Sequence, residues 1–228
     1  MPARPLLLGH RGARKYAAEN TVDAFGCALQ HGCDGFEFDV RLTSDFQPVV
    51  CHDPKFCGVT LAKTTCQMLF EAASKSGLEI SPLEEILRYG ESAFLNIELK
   101  VVGAEQLLID LLAQLPARKG LVVSSFLPEV IQRLYELKAD VPLGIICENR
   151  RQLEHWQQLP VQAVMLHRRL LTPDLFHELK AAGKQVFVWT VNSARDMRRF
   201  AEMGVDGIIS DDTKLLVATL RPEFAGCL

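Results

Sequence analysis

A set of acidic, basic and imidazole side chains stands inside or directly after short apolar runs. His10 and Arg11 end the run Leu6-Leu7-Leu8-Gly9, and Gly12 follows them, a residue that tolerates backbone angles others avoid. Glu37 and Asp39 lie in Gly35-Phe36-Glu37-Phe38-Asp39-Val40-Arg41-Leu42. Alternation there puts Phe36, Phe38, Val40 and Leu42 on one face and Glu37, Asp39 and Arg41 on the other. On a strand, that spacing sets the two carboxylates about 6.6–7 Å apart and pointing the same way. His52-Asp53 closes a second apolar run that starts at Pro48. Asn96, Glu98 and Lys100 share one face of the run from Phe94 to Lys100, with Leu95, Ile97 and Leu99 on the other.

Three carboxylates brought into one pocket repel strongly unless compensated. A hard divalent cation such as Mg²⁺ or Ca²⁺ compensates them, because both favour oxygen ligands. Glu37, Asp39 and Glu98 with one such cation, Arg11 and Lys100 leave a single formal positive charge. A phosphodiester, with a single negative charge, neutralises it. The cation, Arg11 and Lys100 then grip its oxygens as negative charge grows in the transition state. His10 and His52 suit the parts of acid and base, since imidazole titrates near neutral pH.

These residues need a scaffold that gathers them. Asn20 or Thr21 is a suitable N-cap for a helix over Val22 to Gln30, with Asp23 complementing its dipole and His31-Gly32 closing it. A polar turn, Thr43 to Gln47, precedes the Pro48 run. Residues 54–80 carry little pattern beyond a helix through Met68-Leu69-Phe70. Ser81 is expected to cap the next helix, with Pro82 at its first position. From there the chain repeats one unit. Helices at 104–115, 128–138, 150–158, 173–182 and 193–203 alternate with strands at 121–126, 142–147, 163–166, 185–191 and 207–210, and a last helix follows Asp212. Strands alternating with helices imply a parallel sheet. The strands ending near residues 10, 40, 99, 125, 147, 166, 190 and 210 predict an α/β fold, a (β/α)₈ TIM barrel. It is expected as a single domain over residues 1–228 with a short excursion after the second strand. A doubly wound open sheet is the rival, but no glycine-rich phosphate loop follows the first strand. In a barrel, catalytic residues gather at the carboxyl ends of the strands. His10, Arg11, Glu37, Asp39, His52, Glu98, Lys100 and Trp189 all fall at or near such ends.

Composition excludes several other functions. The chain is 48% hydrophobic and 23% charged, as in ordinary soluble proteins. Its net charge of −3 offers no basic surface for nucleic acid or an anionic membrane. No run approaches the roughly 18 apolar residues of a membrane span, so no stable membrane insertion is expected. Pro2 to Leu8 is too short for a secretory h-region. The seven cysteines contain no Cys-x-x-Cys pair, which argues against a zinc site or a disulfide framework. Most are expected to be buried free thiols in a reducing cytoplasm.

Taken together, His10-Arg11-Gly12, Glu19-Asn20-Thr21, Glu37-Phe38-Asp39-Val40, His52-Asp53, Asn96-Ile97-Glu98-Leu99-Lys100, Trp189-Thr190-Val191-Asn192 and Gly204-Val205-Asp206-Gly207-Ile208-Ile209-Ser210-Asp211 resemble the glycerophosphodiester phosphodiesterases. The resemblance runs in order from about residue 6 to 212. It implies a TIM barrel, a divalent metal ion, usually Mg²⁺ or Ca²⁺, and hydrolysis of deacylated phospholipids to sn-glycerol 3-phosphate and an alcohol. Position by position, Glu37, Asp39 and Glu98 match the metal ligands. His10 and His52 match the acid/base pair, and Arg11 and Lys100 the phosphate-binding residues. Trp189 and Phe126 are expected on the glycerol side. In similar enzymes the glycerol 2-hydroxyl attacks phosphorus, and water opens the cyclic phosphate. Which histidine is acid and which is base stays open. The sequence departs from the family in three places. The stretch between His52-Asp53 and Ser81-Pro82 is short, with Lys63-Thr64-Thr65 a faint echo of the usual signature. Ala18 stands where proline is usual, and Phe46 follows Asp45 where glycine is usual. The alternatives are a lysophospholipase D and a non-catalytic barrel that binds phosphodiesters.

Overall fold

Each apolar run that ends in a chemistry-bearing residue forms a strand, and the strands close into a ring. The computed structural model describes residues 4–114 and 119–223. The ring consists of β1 (Leu6–His10), β2 (Gly35–Leu42), β3 (Phe94–Leu99), β4 (Leu121–Ser125), β5 (Leu143–Cys147), β6 (Ala163–His167), β7 (Gln185–Trp189) and β8 (Gly207–Ser210). Neighbours pair in parallel all the way round, and β1 pairs with both β8 and β2. That closure makes the fold a TIM barrel and rules out an open sheet.

The alternation read in β2 has its physical cause in what lies on either side. Phe36 and Phe38 face outward onto the helix Val22–Gln30, where Phe25 stacks on Phe36 with ring centroids 4.3 Å apart. Inside the ring, Leu8, Val122, Ile146, Met165, Phe187 and Ile209 pack together as a separate core. Gly207 makes room for it, since a Cβ there would fall 2.3 Å from Phe187. Gly12 ends β1 with φ of +79°, and a Cβ there would meet the Ala24 backbone at 2.6 Å. Thr21, one of the two expected caps, accepts a hydrogen bond from Ala24 N at 3.2 Å.

The excursion after β2 has its own small core of Val49, Cys51, Leu61, Leu69, Ala73 and Ile80. Pro48–Val50 runs antiparallel to the end of β2 and brings the chain back down to the rim, where Cys51 N donates to Asp39 O at 2.9 Å. His52 therefore reaches the rim from a hairpin strand rather than from a stave of the barrel. The helix expected through Met68–Phe70 is Cys66–Lys75.

Other expectations are corrected. Ser81 caps nothing. Ser81–Pro82 pairs antiparallel with Val49–Val50, and the helix Leu83–Leu87 starts after Pro82 without a side-chain cap. The helix expected over 150–158 is Arg150–Leu153. Beyond it Glu154, His155 and Trp156 donate to carbonyls three residues back, a tighter winding. The helix expected over 104–115 is Glu105–Ala113, and residue 115 lies outside the described residues. Cys27, Cys33, Cys51, Cys57, Cys66 and Cys147 are free thiols, but only Cys33, Cys51 and Cys147 are buried. No helix among the described residues is long and apolar enough to cross a membrane.

Candidate active site

Strand register gathers the acidic groups. Glu37 and Asp39 project from the inner face of β2, and Asp39 lies opposite Glu98 of β3. One carboxylate oxygen from each of Glu37, Asp39 and Glu98 lies within 4.8 Å of the others, and all three residues are buried. Burial, reinforced by Asp39 and Glu98, holds the Glu37 carboxyl well above the usual carboxylate range. Burial and Asp39 likewise push Glu98 up to about 7, against the pull of Lys100. Burial works the same way on Asp39, but Lys100, Arg11 and a hydrogen bond from Asn20 outweigh it and hold Asp39 low.

Two cations lean on this cluster. Lys100 Nζ lies 2.7 Å from Glu98 Oε1 and 3.3 Å from Asp39 Oδ1. The Glu98 contact is an ion pair without hydrogen-bond alignment, so Glu98 Oε1 is buried with no hydrogen bond. Arg11 has a left-handed backbone, φ 53°, uncommon for a side chain of its size. That turn aims its N–H at Glu37 Oε2, 2.9 Å away. It also carries the guanidinium to Glu19 Oε1 at 2.8 Å and to Asp39 Oδ2 at 3.3 Å. Asn20, also left-handed, donates to Asp39 Oδ2 at 2.9 Å.

Each imidazole is held by a carboxylate. His10 Nδ1 lies 2.6 Å from Asp211 Oδ1, and His52 Nδ1 lies 2.7 Å from Asp53 Oδ1. A carboxylate only accepts, so in both rings the Nδ1–H donates and Nε2 is left for other work. His10 Nε2 is 3.9 Å from Glu37 Oε2. Arg41 Nε donates to His52 O at 2.7 Å and anchors the hairpin that carries this histidine. Burial, aided by Lys100 and Arg11, lowers the His52 pKa.

The rim encloses a cavity of about 300 Å³. His10, Arg11, Glu37, His52, Glu98, Lys100, Phe126 and Trp189 all line it. Asp39 does not; it is 1% exposed and sits behind the wall, tied to Arg11, Lys100 and Asn20. Trp189 Nε1 donates to Met165 O at 3.2 Å, and the indole meets Phe126 edge to face with centroids 5.7 Å apart. Lys100 Nζ stands 5.5 Å from the Phe126 ring centroid. Asp211, Asn192, Arg41, Asn96 and Glu148 belong to the site or its support as well, although no role follows for them from the sequence. Asp211 and Asn192 do fall within sequence motifs at the ends of β8 and β7, which was the available signal.

A model of the glycerophosphoryl diester phosphodiesterase family matches residues 10–115 and 106–215. The chain belongs to this family. As a glycerophosphoryl diester phosphodiesterase family member it is an enzyme, a phosphoric diester hydrolase. The glycerophosphodiester phosphodiesterase of Caldanaerobacter subterraneus subsp. tengcongensis is 31% identical over 245 residues, covering 96% of this chain and 98% of that protein. Among solved structures, the glycerophosphodiester phosphodiesterase of Thermotoga maritima shares the fold with a TM-score of 0.81 at 24% identity, over 95% of this chain and 99% of that one. An Oleispira antarctica phosphodiesterase in complex with the product sn-glycerol-3-phosphate has a TM-score of 0.80 at 24% identity, over 95% of this chain and 96% of that one. In this family member the acidic cluster fits a metal ion. Its donors are all oxygen, they converge, and Glu98 Oε1 is buried without a hydrogen bond.

Proposed function

We propose that this chain, as one domain over residues 1–228, hydrolyses glycerophosphodiesters to sn-glycerol 3-phosphate and an alcohol. His10 and His52 would share the acid and base work. The convergence of Glu37, Asp39 and Glu98 beside a cavity that both imidazoles line carries this reading. The Caldanaerobacter relative supports the substrate class, and the Oleispira complex supports the product.

In this proposal Glu37, Asp39 and Glu98 hold a divalent ion, Mg²⁺ or Ca²⁺, which supplies Lewis-acid polarisation of a phosphoryl oxygen. Arg11 and Lys100 bind the remaining phosphate oxygens, and their charge stabilises the crowded oxygens of the transition state. One imidazole Nε2 accepts the proton of the glycerol 2-hydroxyl as that oxygen attacks phosphorus. The other gives a proton to the departing alcohol oxygen. Water then opens the cyclic phosphate with the two parts exchanged. Asp211 and Asp53 keep each ring in the tautomer that presents Nε2. Trp189 and Phe126 pack against the CH faces of the glycerol unit. The free thiols support a reducing cytoplasmic setting.

The test is release of glycerol 3-phosphate from glycerophosphocholine, glycerophosphoethanolamine and glycerophosphoglycerol with added Mg²⁺, Ca²⁺ or Mn²⁺. Chelation should abolish release, and returning the ion should restore it. No turnover of any of these diesters under any of the ions sinks the proposal.

A further inference from the structure

Asn96 lies two residues below Glu98 on the inner face of β3. In register it sits opposite Glu37 of β2 on one side and Val122 of β4 on the other. Its side chain is 1% exposed and borders the cavity. Asn96 Oδ1 accepts a hydrogen bond from Ser124 Oγ at 2.8 Å, and Ser124 is fully buried. Among the described residues no group accepts from Asn96 Nδ2. Nδ2 is not sealed in protein but opens on the cavity, where a ligand or water can accept from it. With Ser124 Oγ donating to Oδ1, the amide nitrogen is left for the cavity.

The rest of the cavity floor is apolar, formed by Ile146, Met165 and Ile209. A charged phosphate keeps to the rim with Arg11 and Lys100. The neutral part of a glycerophosphodiester, with CH faces and hydroxyl groups, is the part that suits an apolar floor carrying a single donor. We propose that Asn96 Nδ2 donates to a hydroxyl oxygen of the glycerol unit, and that Ser124 is the positioning residue that sets the amide for it. This rests on the diesterase reading above and makes the floor selective for a glycerol unit that carries a free hydroxyl at that point. A site built to pair a hydroxyl rejects analogues without one, because its own polar group is then stranded.

Calorimetric titration with sn-glycerol 3-phosphate and, separately, with inorganic phosphate tests this, both in the presence of Mg²⁺. Asn96→Ala is expected to weaken glycerol 3-phosphate binding about 10-fold and leave phosphate within about twofold of wild type. Ser124→Ala, a milder change that serves if Asn96→Ala does not fold, is expected to weaken glycerol 3-phosphate about threefold, again without effect on phosphate. Unchanged glycerol 3-phosphate binding in these variants overturns the proposal. So does equal weakening of both ligands, or a wild type that binds glycerol 3-phosphate no tighter than phosphate. Binding is read without turnover. A wild type that binds glycerol 3-phosphate as expected but hydrolyses no diester therefore counts against the diesterase reading and not against this contact.

Discussion

Asp211 Oδ1 and His10 Nδ1 lie 2.6 Å apart although 201 residues of sequence separate them. Asp211 is itself fixed. Asn192 Nδ2 donates to its Oδ2 at 2.6 Å, and Asp211 N donates to Asn192 Oδ1 at 3.0 Å. Burial raises the Asp211 pKa, but the hydrogen bond and charge of His10, with help from Asn192, hold it below the usual carboxylate value. The carboxylate thus stays ionised and keeps the proton on His10 Nδ1.

Asp211→Asn is expected to lower kcat by about 10–100-fold with a smaller change in KM, a part of the ~10²–10⁴ that acid–base groups contribute. The asparagine occupies the same space, so the thermal midpoint should barely move. Steady-state kinetics and a melting curve on one preparation check both. An unchanged kcat would mean the contact does not orient the imidazole.

The metal-free cluster should make stability fall with rising pH. Glu37 and Glu98 are raised by burial and by their acidic neighbours, Glu98 to about 7 from its ordinary 4.5. Between those values the folded protein holds protons that the unfolded chain has released. Stability from these groups is therefore full below about pH 4.5 and is lost as pH rises through about 7. A divalent cation displaces the same protons. The melting temperature of chelator-treated protein is expected to fall between about pH 5 and pH 8, and added Mg²⁺ or Ca²⁺ to raise it more at pH 8 than at pH 5. Differential scanning calorimetry with and without the ion reads this; equal shifts at both pH values would contradict it.

Phe46 occupies a left-handed backbone, φ 58°, and is 67% exposed. That conformation costs a non-glycine residue ~1–2 kcal/mol, and the extra unfolded-state freedom of glycine returns ~0.5–1 kcal/mol. Phe46→Gly is therefore expected to raise the melting temperature by about 1–4 °C with kcat unchanged. A lower melting temperature would show that the ring makes a contact worth more than the strain.

Where the sequence speaks through a short period, it speaks plainly. The alternation in β2 and β3 is legible because Glu37, Asn96 and Glu98 meet the cavity while Phe36, Phe38, Val40, Leu95, Ile97 and Leu99 pack into the outer core. The apolar runs mark the staves because parallel strands are covered on both sides. Features set by distant partners are not legible. Ser81 carries a good local cap signal, yet pairing with Val50 decides its conformation. His52 looks like the end of another stave and is instead delivered by a hairpin folding back on β2. Asp39 alternates with Phe38 and Val40 like any inner-face residue, and nothing in that pattern says that Arg11 and Lys100 screen it from the cavity. The link from Asp211 to His10 depends on closing the ring between β8 and β1, which no local pattern encodes.

Both imidazoles that line the cavity do the proton work on a glycerophosphodiester in the proposed reaction. Glycerol 3-phosphate release from the best diester, measured at saturating divalent ion for wild type, His10→Ala and His52→Ala, tests it most directly. Each variant is expected to lose at least about 10²-fold in kcat while staying folded. Activity within a few-fold of wild type in either variant would contradict it.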